Sequence, residues 1–262
     1  MTVPLARRML AEFLGTALLV TALVGSGIMA TRLSPDEVGI QLLQNSITTM
    51  LALTVLILIF APVSGAHFNP VVTLAAWWLQ RRSGGLNLRD LVGYVVAQTL
   101  GASSGAVLAN AMFDLPAVSW STTTRTGSHL WLGEVVATAG LTLLIFTLVR
   151  TGRAFLSAPA VGAYVGAAYW FTSSTAFANP AVTIGRALTD TFAGVAPGSV
   201  PAFVGAQVAG ALIGLAVLLA LYPDPASGPP RPRPQRTVLP ESDLPSGQLG
   251  RGISLVPNRW RA

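Results

Sequence analysis

Two short apolar segments, 69–79 and 179–189, each open on Asn-Pro, and each is too short to cross a bilayer. Eleven helical residues rise only about 16 Å against a hydrocarbon core about 30 Å thick. Six longer apolar runs surround them, near 9–30, 38–62, 89–111, 130–150, 156–173 and 201–222, and each reaches across, the fifth marginally. The first extends beyond a short signal-peptide core and carries Glu12, so it reads as a span. Composition agrees with six spans and two half-spans. Hydrophobic residues make up 52% of the 262, charged residues only 10%, and the mean hydropathy is +0.61. Soluble domains carry about a quarter charged residues, so this is an all-α membrane protein.

The two halves of the chain repeat. Glu12 and Thr16 correspond to Glu134 and Thr138, FNPVVT at 68–73 to ANPAVT at 178–183, and Ala97-Gln98 with Gly101 to Ala206-Gln207 with Gly210. Each half holds three spans and one half-span, and an odd number of spans inverts the second half. Inverted repeats place broken helices at the midplane with their N-termini facing the transported species. Two half-spans of about 16 Å entering from opposite sides together cover one bilayer thickness.

Asn is a strong N-cap, and Pro suits the first helical position, where its missing N–H costs nothing. With each side-chain oxygen turned to its own helix, the NH₂ groups of Asn69 and Asn179 remain to donate into a lumen. Half-helix dipoles add positive potential there, which favours neutral oxygens and repels cations. The irregular backbone before each half-helix must face protein or water, never lipid. Gly65, Ala66, His67 and Phe68 in one half, and Thr175, Ala176, Phe177 and Ala178 in the other, therefore present a ladder of carbonyl acceptors. Donors at the centre with acceptors on both approaches describe a conduit for small hydrogen-bonding molecules.

Absent residues narrow the chemistry. Cys is missing, His67 and His129 are the only histidines, and ten carboxylates are spread over the whole chain. No catalytic cluster or metal centre is expected, and no cofactor. All 16 basic residues are Arg. With six alternating spans, Arg7, Arg8, Arg81, Arg82, Arg89, Arg150, Arg153 and six more beyond 222 share one side, leaving Arg32, Arg125 and Arg186 opposite. The positive-inside rule then puts both termini in the cytoplasm, and the chain is expected in the cell's inner (plasma) membrane. The pI near 11.0 is an orientation signal, with no nucleic-acid partner implied. Half the prolines lie in 223–262, which reads as a disordered Pro/Arg-rich cytoplasmic tail, with a docking role as its alternative. The channel domain is 1–222, with repeats at about 5–115 and 128–222.

The motifs SGAHFNP and Asn-Pro-Ala, both Glu positions and both Ala-Gln pairs resemble the major intrinsic proteins, the aquaporin and glyceroporin family, over about residues 5–222. The resemblance implies an aquaporin-like fold of six tilted transmembrane helices and two re-entrant half-helices, one pore per protomer in the lipid bilayer, and a homotetramer. It also implies that Glu12 and Glu134 support the carbonyl-bearing loops; snorkelling carboxylates near span ends are the other reading.

Two departures stand out. The first motif is Asn69-Pro70-Val71 where the second is Asn179-Pro180-Ala181, putting a β-branched residue where the half-helices meet and shifting the central constriction. Family members that conduct water or glycerol usually carry Arg three residues after the second Asn, and here that position is Val182. By spacing from the two Asn residues, the rest of the filter falls on Thr49, Ala167 and Ala176, a wide and mostly apolar ring. Arg186, one turn on, either compensates or points toward the vestibule. Through NPAVTIGRALTDTFAG the chain resembles a branch associated with arsenic resistance, which implies passage of uncharged trivalent arsenic or antimony hydroxides, with glycerol-sized polyols, hydrogen peroxide and water. The alternatives are a water-selective aquaporin and a proton-coupled secondary transporter, the latter limited to Glu12 and Glu134 as titratable groups within the spans.

Overall fold

In the computed structural model, residues 3–81 and 84–223 are described; the Pro/Arg-rich segment from 224 onward lies outside the described residues. Eight α-helices follow in order: α1 Leu5–Leu33, α2 Val38–Ser64, α3 Pro70–Gln80, α4 Leu88–Met112, α5 Ser128–Arg150, α6 Ser157–Phe171, α7 Pro180–Arg186 and α8 Val200–Leu221. Six are long and apolar enough to cross a membrane, the fifth of them with the short turn Ala154–Leu156 included. They match the six expected spans, with α3 and α7 as the two expected half-helices. Their outer faces carry exposed Leu10, Leu14 and Leu18 on α1 and Leu51, Val55 and Leu58 on α2. Such continuous apolar exposure belongs against lipid.

Small residues hold the bundle together. A Cβ at Gly101 would lie 2.4 Å from the Phe13 carbonyl oxygen, and one at Gly105 2.2 Å from that of Ala17, so α1 and α4 cross in backbone contact. The second half repeats the device: a Cβ at Gly210 would lie 2.5 Å from the Val135 carbonyl oxygen and one at Gly214 2.4 Å from that of Ala139, joining α5 to α8. Lipid offers apolar side chains as good an environment as the bundle does, so close backbone packing of this kind carries helix association in membranes.

Both half-helices start as their sequence predicts. Asn69 Oδ1 accepts from Val71 N at 3.1 Å, and Asn179 Oδ1 accepts from Ala181 N at 3.0 Å and Val182 N at 3.3 Å, with proline first in each helix. They end differently. The first runs its 11 residues, whereas α7 stops after seven, short of the predicted Thr189. Past Arg186 the backbone is claimed by the α4–α5 connection: Ser121 N donates to the Ala187 carbonyl at 3.0 Å and Ser119 N to that of Leu188 at 3.1 Å. Asn110 Nδ2 also donates to the Leu188 carbonyl, at 3.2 Å. Carbonyls paired sideways to a strap cannot continue an α-helix.

Candidate functional site

Before each Asn-Pro the backbone alternates into the left-handed region. Ala66 and Phe68 take φ of 49° and 50°, and Ala176 and Ala178, 110 positions later, take 49° and 47°. Such conformations cost L-residues roughly 1–2 kcal/mol each, so something must hold them. Two buried carboxylates do. Glu12 Oε1 accepts from Ser64 Oγ at 2.6 Å and His67 N at 3.0 Å, and its Oε2 accepts from Phe68 N at 2.7 Å and Gln98 Nε2 at 2.8 Å. Glu134 accepts from Phe177 N at 2.9 Å, Ala178 N at 2.8 Å and Gln207 Nε2 at 2.7 Å. Neither carboxylate is exposed at all, which does not fit snorkelling.

The Ala-Gln landmarks, given no chemistry from sequence, complete this clamp. Gln98 and Gln207 each donate also to a threonine, Thr73 and Thr183, at 2.9 Å, and those hydroxyls donate to the carbonyls of Asn69 and Asn179. A chain of Glu, Gln and Thr thus ties each loop to its half-helix. In the first half, Phe68 also fills the space over Gly15, where a Cβ would sit 2.0 Å from its ring.

The two halves are stitched at the centre. Asn69 Nδ2 donates to the Ala178 carbonyl at 2.7 Å, and Asn179 Nδ2 to the Phe68 carbonyl at 2.8 Å. The amides are therefore not wholly free as the sequence suggested: one N–H of each crosses to the other repeat, leaving the second.

A cavity of about 600 Å³ runs past both Asn side chains. It follows α6 from Ser157 to Tyr169, about 18 Å at helical rise, and Val149, Ala154 and Phe155 border one end. Gly65, Ala66, His67, Phe68, Ala176, Phe177 and Ala178 line it; Thr175 does not, and neither do Pro70, Val71, Pro180 and Ala181. Val71 is buried, so its branched side chain packs behind the wall instead of narrowing the passage. The His67 ring is held by Thr73 Oγ1 at 3.2 Å from Nδ1 and packs edge-on to Tyr94. Among the described residues the lining includes no Asp, Glu or Arg.

A model of the major intrinsic proteins matches residues 1–173, two thirds of the chain. The chain belongs to the major intrinsic protein family. It is 49% identical over 214 residues to the aquaglyceroporin AqpS of Rhizobium meliloti, covering 82% of this chain and 89% of that one. It is 33% identical over 191 residues to a probable TIP-type aquaporin of Medicago truncatula, covering 68% and 74%. In fold it is similar to the X-ray structure of the aquaglyceroporin from Plasmodium falciparum, with a TM-score of 0.60 at 23% identity, over 84% of this chain and 96% of that one.

Of the four positions expected for the outer filter, Thr49, Ala176 and Val182 line the cavity, and Ala167 does not. Ala167 is exposed on the opposite face of α6. The helix turns Ala158, Val161, Val165 and Tyr169 inward, and the Tyr169 hydroxyl donates to Thr49 Oγ1 at 3.2 Å. Tyr169, two residues beyond Ala167, is the α6 side chain that meets Thr49 beside the cavity, and the count back from Asn179 crosses the irregular stretch after Phe171. Arg186 does not point into an open vestibule either. It is 3% exposed, its guanidinium stacks 3.4 Å from the centroid of the Phe177 ring, and its Nε donates to the Ala193 carbonyl.

Proposed function

We propose that this member of the family is a passive, bidirectional channel for small uncharged solutes, conducting trivalent metalloid hydroxides such as arsenite together with glycerol-sized polyols and water. The observation that carries the reading is the cavity lining: two Asn amides and a ladder of carbonyls in apolar walls, with no carboxylate or guanidinium among the described lining residues. A neutral hydroxide such as As(OH)₃ or a polyol exchanges water for these fixed donors and acceptors. An ion would lose its hydration without a counter-charge, which is prohibitive in a narrow apolar passage.

Thr49, Tyr169, Ala176 and Val182 form the outer filter in this reading, and valine is what leaves it wide. The 49% identity to an aquaglyceroporin supports solutes larger than water. Glu12 and Glu134, each satisfied by several donors, are structural clamps and not proton carriers. We place both termini in the cytoplasm and the chain in the plasma membrane as a homotetramer, with Arg8 and Asp90, paired at 2.9 Å, on the cytoplasmic side.

The test is stopped-flow flux in proteoliposomes for wild type and Val182→Arg, with water, glycerol and arsenite compared. The larger side chain should cut arsenite and glycerol permeability about tenfold, an added barrier of about 1.4 kcal/mol, and water much less. Equal losses for all three would indicate general blockage. No loss for any solute would remove Val182 from the filter.

A further inference from the structure

Two guanidinium groups converge on one ring at the outer end of the passage. Arg186 stacks on Phe177 at 3.4 Å, and Arg125, carried in by the α4–α5 connection, lies 5.4 Å from the same ring centroid. Successive carbonyls of a single turn hold them. Arg125 Nε donates to Gly194 O at 3.0 Å and its NH2 to Phe192 O at 3.4 Å, while Arg186 Nε takes Ala193 O between them. The strap that brings Arg125 is itself fixed: Arg125 N donates to Ser199 Oγ at 3.0 Å, Ala196 N to Thr123 O at 2.7 Å, and Thr122 N to Asp190 Oδ1 at 2.9 Å.

Neither cation is neutralised by contact. Among the described residues the one ion pair is Arg8 with Asp90, far along the chain from this turn. Glu134, hydrogen-bonded to the neutral donors Phe177 N, Ala178 N and Gln207, keeps its charge and offsets the two cations in part without touching them, while Asp190 is bonded to Thr122. One carboxylate against two guanidiniums leaves the cluster net positive, and like charges repel strongly in a low dielectric.

Phe177 lines the cavity, whereas Arg125 and Arg186 do not. Val182 and Arg186 are four residues apart on α7 and so share a face, and helical side chains lean toward the helix N-terminus. The Arg186 side chain therefore reaches back toward the level of Val182 without occupying the space that valine leaves open.

We propose that Arg125 and Arg186 together form the channel's outer cation barrier, acting through the wall behind Phe177, so that positive potential and bore width are set by different residues. Resting on the channel reading above, this gives the wide ring a barrier against protons and metal cations that a wide apolar ring alone lacks. Neutral solutes pass with little effect from the field. The same potential favours solutes with electron-rich oxygens at the mouth.

The test uses the full chain in proteoliposomes, with glycerol flux and proton leak measured on the same vesicles, the latter with an entrapped pH dye under a potassium diffusion potential. Arg186→Gln and Arg125→Gln should each raise proton leak about tenfold, equivalent to about 1.4 kcal/mol of barrier, while glycerol flux stays near wild type. Arg186→Lys, which keeps the charge and loses the fork of donors, should keep the leak low; a merely structural role would not be rescued this way. If Arg186→Gln does not insert, the half-buried Arg125 decides, since Arg125→Glu must leak more than Arg125→Gln. Unchanged leak in the Arg125 and Arg186 variants that retain glycerol flux would overturn the proposal. Absence of glycerol flux in wild type would overturn the channel reading and this one with it.

Discussion

Tyr169 on α6 donates its hydroxyl to Thr49 Oγ1 on α2, 120 residues away, and closes one side of the passage. This bond spans the two repeats, and both residues line the cavity with Ala176 and Val182. Tyr169→Ala should therefore widen the outer end and raise glycerol permeability several-fold, with water permeability rising less. Ala167→Leu, on the opposite face of the same helix, should leave both unchanged. Stopped-flow light scattering checks this pair, and the reverse pattern would restore Ala167 to the ring.

Ala167 shows where sequence reasoning ran out. The half-helices and their caps were legible because Asn-Pro carries its own local chemistry, and the repeat was legible because identical side chains recur at matching offsets. A position counted back from Asn179 across the irregular 172–178 loop inherits that loop's length, and here the count fell on Ala167, which does not line the cavity. The inward stripe Ala158, Val161, Val165 and Tyr169 has helical spacing, and periodicity on α6 itself was the signal to use. Gln98 and Gln207 were visible as landmarks, but their meaning lay in Glu12 and Glu134 on other helices. The early stop of α7 depended on a strap more than 60 residues upstream, which no local propensity encodes.

Glu134→Ala should destabilise the second loop severely. Phe177 N, Ala178 N and Gln207 Nε2 all lose their acceptor inside the bundle. Buried donors left unpaired cost about 1–3 kcal/mol each, so a loss of several kcal/mol is expected. Thermal unfolding in detergent should show a markedly lower Tm, with Glu134→Gln intermediate because it keeps one carbonyl oxygen. An unaltered Tm for Glu134→Ala would mean the clamp carries no strain.

Gly105→Leu should prevent α1 and α4 from closing, because even a Cβ there lies 2.2 Å from the Ala17 carbonyl oxygen. Folded protein recovered from membranes should fall sharply. Leu108→Ala, one turn on and exposed at 46%, serves as the comparison and should accumulate normally. Equal recovery of the two variants would contradict the close crossing.

Asn179→Asp replaces the donor to the Phe68 carbonyl with a second acceptor at 2.8 Å and sets a carboxylate on the path. Cation conductance should rise and glycerol flux should fall, read by electrophysiology and by swelling of the same preparation. Asn69→Asp should act alike against Ala178, since the two bonds are equivalent. No change in either readout would place these amides off the path.

Passive movement of neutral solutes along fixed donors and acceptors is tested most directly by glycerol or arsenite uptake into proteoliposomes with and without an imposed pH difference. Flux should follow the solute gradient alone, stop when inside and outside concentrations are equal, and ignore the pH difference. Accumulation above the external concentration driven by that pH difference would contradict the account.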